Sequence, residues 1–431
     1  MIPLKLTKDY FFIFVCFYAV AMPFFNKQIG SAGVLVVNGA IILFISVYLL
    51  VENGLVIPFS DRIHKKIALL FLFPISFFMI LTPLSMSIGL YFGGVSVVER
   101  DFFELYRPVL YFLVFLFSYL YFTGEKRIFH FEKILLYIFL VLVVLGLNHY
   151  FRVFDNISEL YTKSHNIKTR RVAVPFVNPY DYAFFMLFFV YYFFMKFLFH
   201  RSYYIVFFMF SVVMFVLPQS RSVAAGSLVG FFVIIPIVLT YTGFNIKKFK
   251  IKSKLMTFYS FLLCVVVGFI ASIPLLIENF PYLTGQFIRL LESGDVGGSA
   301  GTRIEQFLFA LNKAGSSPWI MFFGNGPAKD EMEFVESIYN YFFYRYGLIG
   351  TFLYFYILSL ACYLSFKLVG YYGYKNTNFG LLFSILVFFL TIPILSIGNN
   401  FTEQARISFF YYVFLGLIAA SYYRATLKGL K

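Results

Sequence analysis

Charged residues are scarce in this chain. Lys, Arg, Asp and Glu make up 13% of its 431 residues, where soluble domains carry roughly 25%, and the shortfall excludes a soluble globular protein. Cysteine is scarcer still. Cys16, Cys264 and Cys362 all lie in apolar runs without the spacing of a metal site, so they read as small buried hydrophobes, and no disulfide follows from them. The five histidines are scattered, with no HExxH or other paired spacing. That argues against a metal centre of Cys and His; a divalent ion held by carboxylates stays open, and no cofactor is expected. No folded basic domain displays the net charge of +15, which argues against nucleic acid as a partner.

What the chain has in quantity is apolar length. Hydrophobic residues make up 61%, with 64 Phe and 34 Tyr, and the mean hydropathy is +0.83. Runs of about 20 apolar residues recur, each long enough to cross about 30 Å of hydrocarbon at 1.5 Å per residue. The fold class is therefore an all-α polytopic membrane protein. About twelve spans are expected, at 10–25, 29–51, 67–92, 105–122, 134–150, 180–199, 202–219, 222–243, 255–277, 347–366, 379–397 and 407–423. Lys5 and Lys8 precede a run that reads as the first span, not as a cleaved leader.

Charge then orients the spans. With a cytoplasmic N-terminus, alternate loops fall on opposite sides, and the inner side collects 20 of the 35 Lys and Arg against five carboxylates. The whole net charge sits on that face, as the positive-inside rule requires, and the C-terminus is inside as well. The run KKFKIKSK (247–254) is the strongest anchor, and it also suits anionic lipid.

The outer positive charges need another explanation. Most of them fall in 151–179, at the corner 218–222, and in 278–346. The chain accordingly divides into spans 1–277 with the outer loop 151–179, a large extracytoplasmic loop 278–346, and spans with a cytoplasmic tail, 347–431. In the first segment Arg170 and Arg171 precede a Val-Pro turn, and Asn178-Pro179 opens a span, since Pro suits a helix's first turn. Pro218–Ser222 is a tight reversal carrying Arg221. In the large loop, GTRIEQFLFALNKA (301–314) spaces Ile304, Phe307, Leu308 and Leu311 as an interfacial amphipathic helix with Arg303 at its start. Each arginine reads either as an interfacial residue snorkelling to lipid phosphate or as a ligand for a substrate phosphate. A guanidinium binds phosphate oxygens bidentately and stays charged in apolar surroundings.

Beyond the turn Gly324-Asn325-Gly326-Pro327, a helical pattern from Phe334 to Tyr346 is about 20 Å long, too short to span, and Gly347 turns the chain into the tenth span. On that helix Glu336, Tyr339 and Asn340 are expected to share a face. Glu336 reads either as a carboxylate favourable to the helix dipole or as a general base, partly desolvated by nearby hydrocarbon. Arg345 reads as a further phosphate ligand or as an interfacial anchor.

Five places carry a family likeness. RVAVPFVNPY (171–180) is similar to an R-x-x-G-x-F-x-N-P-N segment, with Val174 for the glycine and Tyr180 for the last asparagine. QSRS (219–222), GTR (301–303), FGNGP (323–327) and ESIYNYFFYRYGLIG (336–350) follow in order. Together they resemble the bacterial O-antigen polymerase and ligase superfamily, over about residues 170–350. The resemblance implies a GT-C-like glycosyltransferase architecture in the bacterial inner (cytoplasmic) membrane, with the active site facing the periplasm or outside.

The implied reaction joins undecaprenyl-diphosphate-linked oligosaccharides, donor and acceptor both, without a metal and with inversion. Arg171, Arg221, Arg303 and Arg345 would bind the diphosphate, Glu336 would accept the acceptor's proton, and Tyr339 and Asn340 would position sugars. Partners are the two lipid-linked substrates, membrane lipids, a chain-length regulator and a repeat-unit flippase. Ligases of the superfamily carry a His-Asn pair where this chain has Glu336-Ser337, which favours a polymerase of O-antigen or capsule over transfer to a lipid A core. A flippase for the same lipid-linked sugars is the reading from another class, but no internal repeat supports it. A structural scaffold for a polysaccharide complex would explain the spans and leave the outer arginines unexplained.

Overall fold

The computed structural model describes residues 4–23, 32–53, 61–124, 127–241, 249–279, 298–374 and 376–430. Lys247 and Lys248 of the basic run, and 280–297 of the large loop, lie outside the described residues. Every regular element among those described is helical. Helices α1 (Leu4–Ala21), α2 (Ala32–Asn53), α3 (Arg62–Phe92), α4 (Tyr106–Phe122) and α5 (Arg127–Phe151) come first. They are followed by α6 (Pro179–Phe199), α7 (Tyr204–Val216), α8 (Arg221–Tyr241, with a π-helical turn at Gly230–Ile234) and α9 (Phe249–Asn279). Then come α10 (Gly298–Ser316), α11 (Pro318–Phe323), α12 (Ile338–Tyr372), α13 (Phe379–Leu395) and α14 (Ala405–Leu427).

Within the described residues, each of the twelve expected spans overlaps a helix. Among the described residues, eight helices are long and apolar enough to cross a membrane, and the other four expected spans fall on shorter apolar helical stretches, Asp9–Ala21, Tyr204–Val216, Met256–Ser272 and Phe379–Leu395. At 1.5 Å per residue, α7 reaches only about 20 Å. This is a helical membrane protein.

Helices α6 and α14 are buried on nearly every side, the position for a helix apolar all round. Their phenylalanines interlock: the ring centroids of Phe188 and Phe414 lie 4.6 Å apart, and those of Phe185 and Phe410 lie 4.7 Å apart. Helix α14 also presses on α4, because a Cβ on Gly416 would overlap Ser118 and stand 2.7 Å from the Tyr119 nitrogen.

The connecting segments gather at two ends. At one, Tyr423 Oη donates to Asp61 at 2.7 Å, Arg424 Nη1 donates to the Gly124 carbonyl at 3.0 Å, and Lys196 Nζ lies 2.6 Å from Glu132. Among the described residues, the other end collects those that follow α1, α3, α5, α7 and α13, together with α10, α11 and the start of α12. Buried Arg406 ties part of it together, donating to the carbonyls of Val20 (2.8 Å), Met22 and Pro175. Loops grouped this way are what alternating crossings require.

Candidate functional site

The site is built on a broken helix. Within α12, Gly347 has φ 63° and ψ −159°, outside helical space and in a region open almost only to glycine. The break frees carbonyls one turn earlier. They are taken up by the Gly324–Pro327 turn, where Asn325 N–H donates to the Tyr344 carbonyl and Gly326 N–H to that of Arg345, both at 2.9 Å. A Cβ on Gly347 would stand 2.5 Å from the Phe322 carbonyl carbon, so the turn and the break fit only each other. The expectation that Gly347 redirects the chain is met.

Helix α10 turns its polar side inward. Arg303, Gln306 and Lys313 all bond to the protein, while Ile304, Phe307, Leu308 and Leu311 are exposed. That polarity is the reverse of a water-facing helix and suits one lying in a lipid interface. Beside it, Trp319 of α11 stacks on Phe92 at the end of α3, their centroids 6.1 Å apart.

From α10 the Arg303 guanidinium reaches two partners. Its Nη2 lies 3.2 Å from Glu336 Oε2 and donates to the Gly398 carbonyl at 2.8 Å, and its Nε is buried with no hydrogen-bond partner among the described residues. About 27% of the Arg303 side chain and 37% of the Glu336 side chain is exposed, although Glu336 Oε2, the oxygen facing Arg303, is itself buried, so the pair is partly open to the medium. Gly398 joins a second group. A Cβ on it would overlap Ser222, so the loop after α13 sits directly on the corner that opens α8 with Arg221. Arg171 meets the same corner, with Nε donating to the Pro218 carbonyl at 3.3 Å. Arg171, the Arg221 corner, Arg303 and Glu336 are thus linked through one loop.

No family model matches this chain, and no curated protein does. What the site can do rests on its own geometry.

Two expectations need correction. Glu336 is not on the helix: α12 starts at Ile338 with Ser337 at the cap position. Residues 334–336 are held instead by Gln306, which bonds their backbone from the side, so the shared helical face does not form. Arg345 meets a different set of partners. It is fully buried, with Nη1 2.9 Å from Glu403 Oε1 and 3.9 Å from Glu104 Oε2, and its guanidinium lies 4.6 Å from the centre of the Tyr341 ring. Neither a phosphate ligand nor an interfacial anchor fits a side chain enclosed among carboxylates.

Tyr339 and Asn340 brace the site. Tyr339 Oη donates to the Pro393 carbonyl at 2.8 Å, and Asn340 Nδ2 donates to the Arg303 carbonyl at 3.0 Å. Among the described residues, no three His, Cys, Asp or Glu side chains converge as a metal-ligand group.

Two parts escaped sequence reasoning. One is the loop 396–400, whose Gly-Asn-Asn between two apolar runs was the available signal. The Ser396 carbonyl accepts from Ile338 N–H at 3.1 Å, and Tyr180 Oη donates to the Leu395 carbonyl at 3.2 Å. The other is an ionic network around nearly buried Glu104, which pairs with Arg107 (2.9 Å) and with Lys329. Next to it Arg107 borders a small cavity of about 30 Å³, lined in part by tyrosines including Tyr111, Tyr341, Tyr411 and Tyr412.

Proposed function

We propose that this protein is a polymerase of lipid-linked glycans, extending a surface polysaccharide by inverting glycosyl transfer at the loop-rich end of the bundle. That end would face outward from a bacterial cytoplasmic membrane, with both termini inside. The observation that carries the reading is a guanidinium and a carboxylate side by side and partly open, linked through Gly398 to the corner that bears Arg221 and accepts from Arg171. The motif resemblance to O-antigen polymerases supports it.

In this mechanism the acceptor sugar's hydroxyl oxygen attacks the donor's anomeric carbon from the face opposite the diphosphate. The carbon–oxygen bond to the diphosphate breaks, and the lipid diphosphate leaves with the electron pair. The hydroxyl proton passes to the Glu336 carboxylate. Arg303, with Arg171 and Arg221, offsets the charge growing on the leaving group, and such donors contribute most when they are fixed before the reaction. In the structure Arg303 is paired with Glu336. Diphosphate arriving at Arg303 competes for its fork and releases the carboxylate to act as base, so base activation follows donor binding.

The test is a reconstituted reaction in detergent or nanodiscs with two purified undecaprenyl-diphosphate repeats and no other protein. Longer lipid-linked chains support a polymerase. Their absence, with movement of lipid-linked repeats across vesicles instead, would assign a flippase. Product formed only on a lipid A core would assign a ligase.

A further inference from the structure

Gln306 lies one turn after Arg303 on α10, and both ends of its carboxamide serve one short piece of backbone. Oε1 accepts from the Glu336 N–H at 3.0 Å, and Nε2 donates to the Phe334 carbonyl at 2.8 Å. In extended chain, the carbonyl of one residue and the N–H two residues on point to the same side, so a single amide side chain can close both as a neighbouring strand would. Residues 334–336 belong to no helix or sheet, and their polar backbone must find partners elsewhere. Asn340 reaches back in the opposite sense, from α12 to the Arg303 carbonyl at 3.0 Å. The two amides thus hold the backbone of both members of the pair, Gln306 at Glu336 and Asn340 at Arg303.

We infer that Gln306 is a positioning residue that sets where the Glu336 carboxylate stands relative to Arg303. Its catalytic consequence rests on the polymerase reading; the clamp itself does not. When the diphosphate draws Arg303 away, the ion pair no longer holds Glu336. The backbone clamp then keeps the carboxylate aimed at the acceptor hydroxyl. A reacting group displaced by about 1 Å can lose on the order of a hundredfold in rate.

Two measurements on the full chain in lipid nanodiscs test this, and they fail independently. In the first, Glu336→Cys in a Cys264→Ser background (Cys264 being exposed) is labelled by a membrane-impermeant maleimide, with and without Gln306→Met. Loss of the clamp is expected to change the labelling rate at least threefold, and an unchanged rate overturns the proposal whatever the chemistry. In the second, Gln306→Met is expected to lower kcat at least tenfold with KM within about threefold, and to add nothing to Glu336→Gln, as for residues acting as one unit. Equal kcat in Gln306→Met and the parent overturns the positioning role, as does a double variant slower than Glu336→Gln by the full Gln306→Met factor. Gln306→Asn, polar but too short to reach both groups, should fall with Gln306→Met and covers the case of poor folding. Full activity in Glu336→Gln would sink the base assignment while leaving the labelling result readable.

Discussion

Arg303 Nη2 stands 3.2 Å from Glu336 Oε2 and donates, from the same nitrogen, to the Gly398 carbonyl at 2.8 Å. One guanidinium end therefore joins the candidate base to the loop that rests on the arginine corner. Arg303→Ala is expected to lower chain extension roughly a hundredfold to a thousandfold, the usual loss for a fixed charge-stabilising donor. Arg303→Lys should recover little of it, because an ammonium lacks the planar fork. Steady-state rates with purified lipid-linked repeats check both. Near-parental activity of Arg303→Lys would mean that charge alone matters.

Gly398 is the point where the two arginine groups meet. Gly398→Ala places a Cβ into Ser222, and overpacking of this kind costs about 1–3 kcal/mol. The variant is expected to melt lower and to lose activity, and Ser222→Gly in the same chain should restore a large part of both. Thermal unfolding and turnover of the single and double variants decide it. No recovery would show that the contact does not link the groups.

Arg345 separates stability from catalysis. Removing one partner of a buried ion pair leaves the other charge uncompensated, at about 3–5 kcal/mol. Arg345→Met leaves Glu403 in that state, while Glu104 keeps Arg107 and Lys329, so a large fall in melting temperature and yield is expected. Arg303→Ala, at a partly exposed pair, should fall by far less. Similar melting of the two variants would contradict the distinction drawn between the sites.

At the opposite end, Asp61 caps α3. Its carboxylate accepts from His64 N–H and from Tyr423 Oη, each at 2.7 Å. The His64 backbone bond, then the Tyr423 bond, holds it below the ordinary aspartate range. A depressed folded-state value stabilises above the unfolded value and is lost as pH falls through the folded one. Melting temperature should therefore be insensitive to this group near neutrality and decline below about pH 4. Asp61→Asn should flatten that decline. An unchanged acid limb in the variant would rule out the assignment.

Much of the architecture is legible from local pattern alone. Helix formation in an apolar medium depends on each segment satisfying its own backbone, so hydropathy along the chain determined the helices, their order and the loops between them. The turn at Pro218–Ser222, the opening of α6 at Pro179 and the break at Gly347 were readable because proline fixes its own φ and glycine admits the positive φ that a break needs. Contact between distant segments obeys no such local rule. Only the folded chain decided that Gly398 would accept from Arg303, that Gln306 would hold residues 334–336 out of the helix their periodicity suggested, and that Arg345 would be enclosed with Glu403 while Arg303 stayed open. Those outcomes depend on which backbone donors and acceptors lack a partner after the helices pack, and that is known only once every neighbour is in place.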